Sequence, residues 1–164
     1  MRRDFWMSNI LSTAGTIEEQ LRLHGSYASN TRGTSMEPLF RTHRDMVIIL
    51  PVTEPLKKYD VPLYRLDDGS YVLHRIIGFY EDGYLIRGDN TFLTERVPHS
   101  KIVGVLSEFN RKGKSGSCRD RGYRIYSRVW CFIYPVRYVL YKIRRMLSTV
   151  YHALIKRDAK KTKK

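Results

Sequence analysis

One hydroxyl, one imidazole and two carboxylates are spaced along this chain so that they could together break a peptide bond. The hydroxyl is Ser35, in Gly33-Thr34-Ser35-Met36-Glu37-Pro38. Gly33 can take backbone angles closed to other residues and leaves space for an approaching strand, while Pro38 fixes its own φ and pushes Glu37 toward extended geometry. The serine is thereby expected to be presented on a turn and not packed away. A lone serine is a weak nucleophile, so it needs a base, and the base needs a group that orients it. His74, in Tyr71-Val72-Leu73-His74-Arg75-Ile76, fits the first role. Its ordinary pKa of about 6.5 leaves the ring largely neutral at pH 7, and burial on an apolar strand favours the same form. Asp89, in Arg87-Gly88-Asp89-Asn90, and Glu95, six residues on, compete for the second role.

Each residue also has a plainer reading. A histidine on an apolar strand is commonly a hydrogen-bonded structural residue, and Asp89 could bond loop amides. A lysine base is not expected, because the first 110 residues hold only Lys57, Lys58 and Lys101, none on the His74 strand. The oxyanion is assigned to the Ser35 N–H, with Gly33 and Met36 beside it, the glycine as open backbone and the methionine as an apolar wall. His24, His43, His99 and His152 show no metal-ligand spacing and no phosphate-binding glycine loop occurs, so neither metal nor cofactor is expected.

The boxes Ser35-Met36-Glu37-Pro38, Arg44 to Ile49, His74-Arg75 and Gly88-Asp89-Asn90 occur in an order that resembles the type I signal peptidases and the related LexA-like self-cleaving repressors. Most bacterial members use a lysine base. The branch that includes the endoplasmic-reticulum signal peptidase has histidine there, and His74 is similar to that branch. The resemblance covers residues 28–107 and implies a metal-free serine endopeptidase on a coiled, barrel-like antiparallel β domain. It implies Ser35 as nucleophile, His74 as base and either Asp89 or Glu95 behind it. Glu95 stands where the histidine branch usually has aspartate, and Gly33 stands where some relatives use a serine hydroxyl as a second oxyanion donor. The implied substrate is a leader or signal peptide, or a small precursor, bound extended along a strand edge. The implied location is a bacterial-type cell membrane, with the cytoplasmic face one option.

The elements that must hold these residues follow from periodicity. At 164 residues the chain is read as one domain with appendages. Cys118 and Cys131 lie outside the boxes and suggest neither a disulfide framework nor zinc. Met1 to Ile10 carries Arg2, Arg3, Phe5 and Trp6 but no long apolar run, so it is read as neither secretion signal nor spanning helix. Thr16-Ile17-Glu18-Glu19 reads as a capping box, and Ile10, Ala14, Ile17 and Leu21 share a face, which predicts a helix ending near Gly25 within an N-terminal segment 1–26. Alternation then predicts strands near 27–34, 45–50, 61–66, 70–80, 83–88 and 101–109, turned by Asp67-Asp68-Gly69 and Glu81-Asp82-Gly83. The fold class is therefore mainly β, over residues 27–110.

Charge divides the chain. Residues 1–110 carry 13 Lys and Arg against 14 Asp and Glu, whereas 111–164 carry 17 against 2, which leaves the formal +14 entirely in the C-terminal part. The stretch 111–122 reads as a linker and 123–157 as amphipathic helices, with a solvated basic tail at 158–164. Arg128 and Arg137 interrupt the apolar run, and because a central arginine costs about 2.5–3.5 kcal/mol on insertion scales, a membrane span is rejected. Val136, Val139, Leu140, Ile143, Leu147, Val150 and Leu154 share one face and Arg137, Arg144, Arg145 and His152 the other, with Trp130, Phe132, Tyr134, Tyr138 and Tyr141 near the start. That pattern suits an anionic membrane interface, and nucleic acid is not the favoured partner. Two rivals stand beside the peptidase: a catalytically silent β scaffold with a lipid- or nucleic-acid-binding tail, and a self-cleaving repressor-like protein.

Overall fold

The computed structural model describes the backbone of residues 15–161 and the side chains of residues 15–149. The sequence readings of Met1 to Ile10, of Ala14, of the Val150, His152 and Leu154 side chains, and of the side chains of the 158–164 tail lie outside the described residues. The division between two compact units falls between Arg128 and Val129.

In the first unit, α1 (Ile17–His24) starts and stops where its flanking residues dictate. The Thr16 side chain accepts the Glu19 N–H at 3.3 Å, and Gly25, at φ 67°, turns the chain left-handed so that its N–H meets the Leu21 carbonyl. Among the described residues nine strands follow: β1 (Tyr27–Asn30), β2 (Met46–Leu50), β3 (Pro62–Arg65), β4 (Tyr71–Leu73), β5 (Arg75–Tyr80), β6 (Gly83–Arg87), β7 (Glu95–Pro98), β8 (Ile102–Arg111) and β9 (Lys114–Ser117). All pairings are antiparallel. One sheet runs β1-β2-β8-β3-β4 with β9 added to β8, and a second runs β5-β6-β7. The fold is mainly β, a curled antiparallel half-barrel with a short N-terminal helix and C-terminal helices.

The curl has local causes. Register slips between Ile48 and Ile49, between Leu63 and Tyr64, and between Ile76 and Gly78, and each irregularity adds twist where it occurs. One apolar cluster gathers Met36, Leu39, Phe40, Val47, Ile49, Leu63, Leu106 and Phe109, and another gathers Leu56, Tyr64, Ile76, Tyr84, Ile86 and Val97.

Three details differ from the sequence reading. The expected strand at 70–80 is two strands in different sheets, with His74 as the single residue between them. β7 was not expected, because Glu95-Arg96-Val97-Pro98 offers only Val97 to the core. Residues 111–117 are not a linker: they close and complete a hairpin on β8, in which Arg111 faces Lys114 and Ser115 faces Asn110. Lys112 and Gly113 take φ of 50° and 79°, the left-handed pair that a two-residue hairpin loop requires. The glycine that suggested flexibility is instead the turn.

After the hairpin come α2 (Arg121–Phe132) and α3 (Tyr134–Lys161). Pro135 sits in the first turn of α3, where a missing N–H costs nothing. In the second unit Val129, Phe132, Val136, Val139, Leu140, Ile143, Met146 and Leu147 are all exposed, and the Arg137 guanidinium lies 3.9 Å from the centre of the Trp130 ring. No described helix is long and apolar enough to cross a membrane.

The hairpin makes a checkable claim. A methyl group at Gly116 would lie 2.6 Å from Cε2 of the buried Phe109 ring. Gly116→Val should destabilise the protein by about 1–3 kcal/mol, read as a lower urea midpoint at unchanged m, whereas a true linker would tolerate it.

Candidate active site

The Ser35 turn lies in the connection from β1 to β2, and Asp45 holds that connection shut. Its buried carboxylate accepts the Arg41 N–H at 2.8 Å, the Lys112 N–H at 3.3 Å, and both Nε and an η-nitrogen of Arg44 at 2.7 and 2.6 Å. Burial alone would raise this carboxyl, but the Arg44 guanidinium and the backbone donors outweigh it and hold Asp45 below the usual range. Thr31 closes the neck: its N–H donates to the Asp45 carbonyl at 2.9 Å and its hydroxyl lies 2.9 Å from the Arg41 carbonyl.

Within the loop, Gly33 takes φ 78° and its carbonyl accepts the Thr42 hydroxyl at 2.6 Å. The turn that follows is anchored by burial of Met36, Leu39 and Phe40 in the core, so the Met36 side chain serves packing. Turn hydrogen bonds run from the Glu37 N–H to the Thr34 carbonyl and from the Phe40 N–H to the Met36 carbonyl, and the Glu37–Pro38 peptide is cis. Ser35 is half-buried at the head of this turn.

The β6–β7 loop grips the turn from the other side. The Asn90 N–H donates to the Ser35 carbonyl at 2.7 Å and its side-chain amide to the Thr34 carbonyl at 3.2 Å. Two residues earlier, Gly88 shows how near the imidazole is: a methyl there would lie 2.7 Å from the Ser35 carbonyl oxygen and 3.0 Å from His74 Nε2. Those two atoms are thus separated by no more than the sum of these distances. Gly88 keeps the space between them open.

His74 is only 6 % exposed, and its Nε2 is buried without a hydrogen-bond partner. Nδ1, on the far side of the ring, lies 3.2 Å from Glu95 Oε1 and 3.1 Å from the Tyr64 hydroxyl, which in turn donates to Glu95 Oε2 at 2.8 Å. Burial holds the His74 pKa below its ordinary 6.5, opposed in part by the Glu95 charge and hydrogen bond.

Asp89 is occupied elsewhere. Its two oxygens take Nε and an η-nitrogen of Arg75, each at 2.8 Å, and the Tyr126 hydroxyl donates to it at 3.0 Å. The remaining η-nitrogen of Arg75 reaches the Tyr59 carbonyl at 3.0 Å, the Ser127 hydroxyl at 2.8 Å and the Tyr123 hydroxyl at 3.2 Å. Burial alone would ease the proton off Arg75, but its bonds to Asp89 outweigh that and raise its pKa. Of the two carboxylates left open by the sequence, Glu95 meets the imidazole and Asp89 neutralises the neighbouring arginine.

The structure therefore brings the Ser35 turn, His74 and Glu95 around the β6–β7 loop, with Asp89 on the neighbouring arginine and Gly33 exposed at the start of the turn. Lys101 ion-pairs with Asp67, and Lys58 lies over the Tyr59 ring. Tyr64 is the residue that sequence reasoning missed, since in Pro62-Leu63-Tyr64-Arg65 it reads as one more core aromatic. The available signal was general: a buried tyrosine hydroxyl needs a partner. No protein-family model and no curated protein matches the chain.

The division of labour between the carboxylates can be measured. Asp89→Ala strands a fully buried guanidinium and should cost roughly 3–5 kcal/mol in urea unfolding. Glu95→Gln leaves no charge unpaired in the core and should stay within about 1 kcal/mol of wild type. The opposite ranking would invalidate the assignment.

Proposed function

We propose that the chain is a serine endopeptidase, similar to the histidine-base branch of signal peptidases, that cuts leader or signal peptides or small precursor peptides. One observation carries the reading: the Ser35 turn and a buried, unpartnered imidazole nitrogen border the same space beside Gly88, and a carboxylate backs the ring on its other nitrogen. An extended substrate segment brings its scissile carbonyl to Ser35. The hydroxyl oxygen attacks the carbonyl carbon as its proton passes to His74 Nε2, and the positive ring is balanced by Glu95 at Nδ1. The Ser35 N–H, which takes no part in the turn's own hydrogen bonds, stabilises the oxyanion. His74 then protonates the leaving amine, the peptide bond breaks, and water, deprotonated by the same nitrogen, releases the acyl group from Ser35. A lowered His74 pKa serves this cycle, because the base stays neutral into mildly acidic solution.

The location we infer is the surface of a bacterial-type membrane, on its anionic and so by one option cytoplasmic face. The exposed apolar stripe from Val129 to Leu147, flanked by Arg137, Lys142, Arg144 and Arg145, supports it. The same stripe also favours the second reading, a silent β scaffold that binds lipid through its tail. Self-cleavage is the third, and chain that stays intact on long incubation would count against it.

Incubation with a leader-peptide library and mass-spectrometric mapping of the cuts separates the first two readings. Wild type should cleave, and Ser35→Ala or His74→Ala should lower kcat by about 10⁴-fold or more. Because the base is neutral above its folded-state pKa, the acid limb of kcat/KM against pH should have its midpoint below 6.5. No cleavage by wild type, with vesicle binding intact in Ser35→Ala, would favour the scaffold.

Membrane attachment has its own test. Co-sedimentation with anionic vesicles should weaken at least about tenfold in the Val139→Asp, Ile143→Asp double variant and fall with added salt. Binding indifferent to both would remove the membrane assignment.

A further inference from the structure

Tyr64 is completely buried, and its ring centre lies 6.1 Å from that of His74. Burial, together with the hydrogen bond and charge of Glu95, holds the phenol well above its ordinary range, so the hydroxyl keeps its proton. That single proton has two acceptors in reach, Glu95 Oε2 at 2.8 Å and His74 Nδ1 at 3.1 Å, and a phenol donating to Nδ1 would leave both Glu95 oxygens facing lone pairs. Glu95 Oε2, 2.8 Å away, is a carboxylate oxygen that can only accept, so Tyr64 donates there. The phenol oxygen is then left with lone pairs, and it lies 3.1 Å from His74 Nδ1. The other neighbour of Nδ1 is Glu95 Oε1 at 3.2 Å, again only an acceptor. With an acceptor on both sides, Nδ1 must carry the ring hydrogen, and a neutral imidazole has only one. Nε2, the buried atom facing the Gly88 space, therefore holds the free lone pair.

We propose that Tyr64 is a positioning residue for His74: by giving its proton to Glu95 and its lone pair to Nδ1–H, it fixes the tautomer that leaves Nε2 as the proton acceptor. The role rests on reading His74 as the base. Glu95 alone would hold the ring less firmly. Its side chain is 30 % exposed and has an extra rotor compared with aspartate, so an unanchored carboxylate gains freedom by turning toward water. Tyr64 fastens the second carboxylate oxygen from a fully enclosed position. The three groups form a closed triangle in which each hydrogen bond limits the other two.

The test is Tyr64→Phe in the full chain, which removes the hydroxyl and keeps the ring. Nitrogen-15 spectra of the histidine side chains read the tautomer without any turnover, and His74→Gln identifies the signal. Wild type should show His74 as the Nδ1–H form at pH 7, and in Tyr64→Phe the Nε2–H fraction should rise about threefold or more. Cleavage of a leader peptide should lose roughly tenfold in kcat with KM unchanged, since ring orientation matters to proton transfer more than to binding. A wild-type ring in the Nε2–H form overturns the proposal, as does an unchanged tautomer in the variant. Should Tyr64→Phe fail to fold, the wild-type tautomer alone decides. The expected tautomer shift in a protein that cleaves nothing would sink the peptidase reading and leave the positioning of the ring established.

Discussion

The buried pair between Arg75 and Asp89 is the interaction on which the rest of the site depends. Arg75 is 1 % exposed and follows His74 immediately, at the point where the chain leaves one sheet for the other. Asp89 follows Gly88 immediately, and the next residue, Asn90, grips the Ser35 turn. One bidentate contact thus fixes the approach of three segments that are far apart in sequence. Taking two charges out of water is expensive, and such a pair is tolerable only where its remaining donors and acceptors are satisfied. Here the Tyr59 carbonyl, three side chains of α2 (Tyr123, Tyr126 and Ser127) and two aromatic faces over the guanidinium do so. The first half of α2 is consequently part of the β unit, and the boundary between the compact units falls later than composition suggested.

The same pair leaves the electrostatics of the imidazole mainly to burial and Glu95. An unpaired arginine next to His74 would oppose protonation at Nε2, and an unpaired aspartate would favour it. Paired with Arg75, Asp89 raises the His74 pKa less than Glu95 does. What remains is a contest between burial, which favours the neutral ring, and Glu95, which favours the charged one. Burial wins at rest. Glu95 stays close enough to balance a positive ring when one forms, so the arrangement suits a base that is neutral before a proton arrives and accommodated after it.

How much of this could be read from the residues depends on whether local or tertiary physics decided each point. The first helix was legible because Thr16 and Gly25 act within a turn of its ends. Most strands were legible because short apolar runs bounded by turn residues mark buried strands, as in Met46–Leu50 and Gly83–Arg87. The break at His74 was not, because apolar residues continue on both sides of it and only the strand partners change. The hairpin at Lys112-Gly113 was hidden by composition, since the glycine, serine and lysine that mark flexible linkers also mark tight turns. Asp89 and Glu95 were indistinguishable in sequence, both carboxylates lying just beyond β6, one in the loop to β7 and one at its far end. Only the three-dimensional demand of a buried Arg75 claims one of them and leaves the other to the ring.

The distribution of charge then bears on what the site could meet. The first 110 residues are nearly neutral, while the residues after them carry all of the excess cations beside an exposed apolar stripe. On the peptidase reading, a catalytic unit without its own strong field has little means of attracting extended peptides over distance. A cationic amphipathic segment on an anionic membrane removes that difficulty by confining enzyme and membrane-borne substrate to the same thin layer, where a modest intrinsic affinity suffices. On that reading the two parts divide the work: the basic helices would choose the surface, and the buried ring with its tyrosine-held carboxylate would handle the proton.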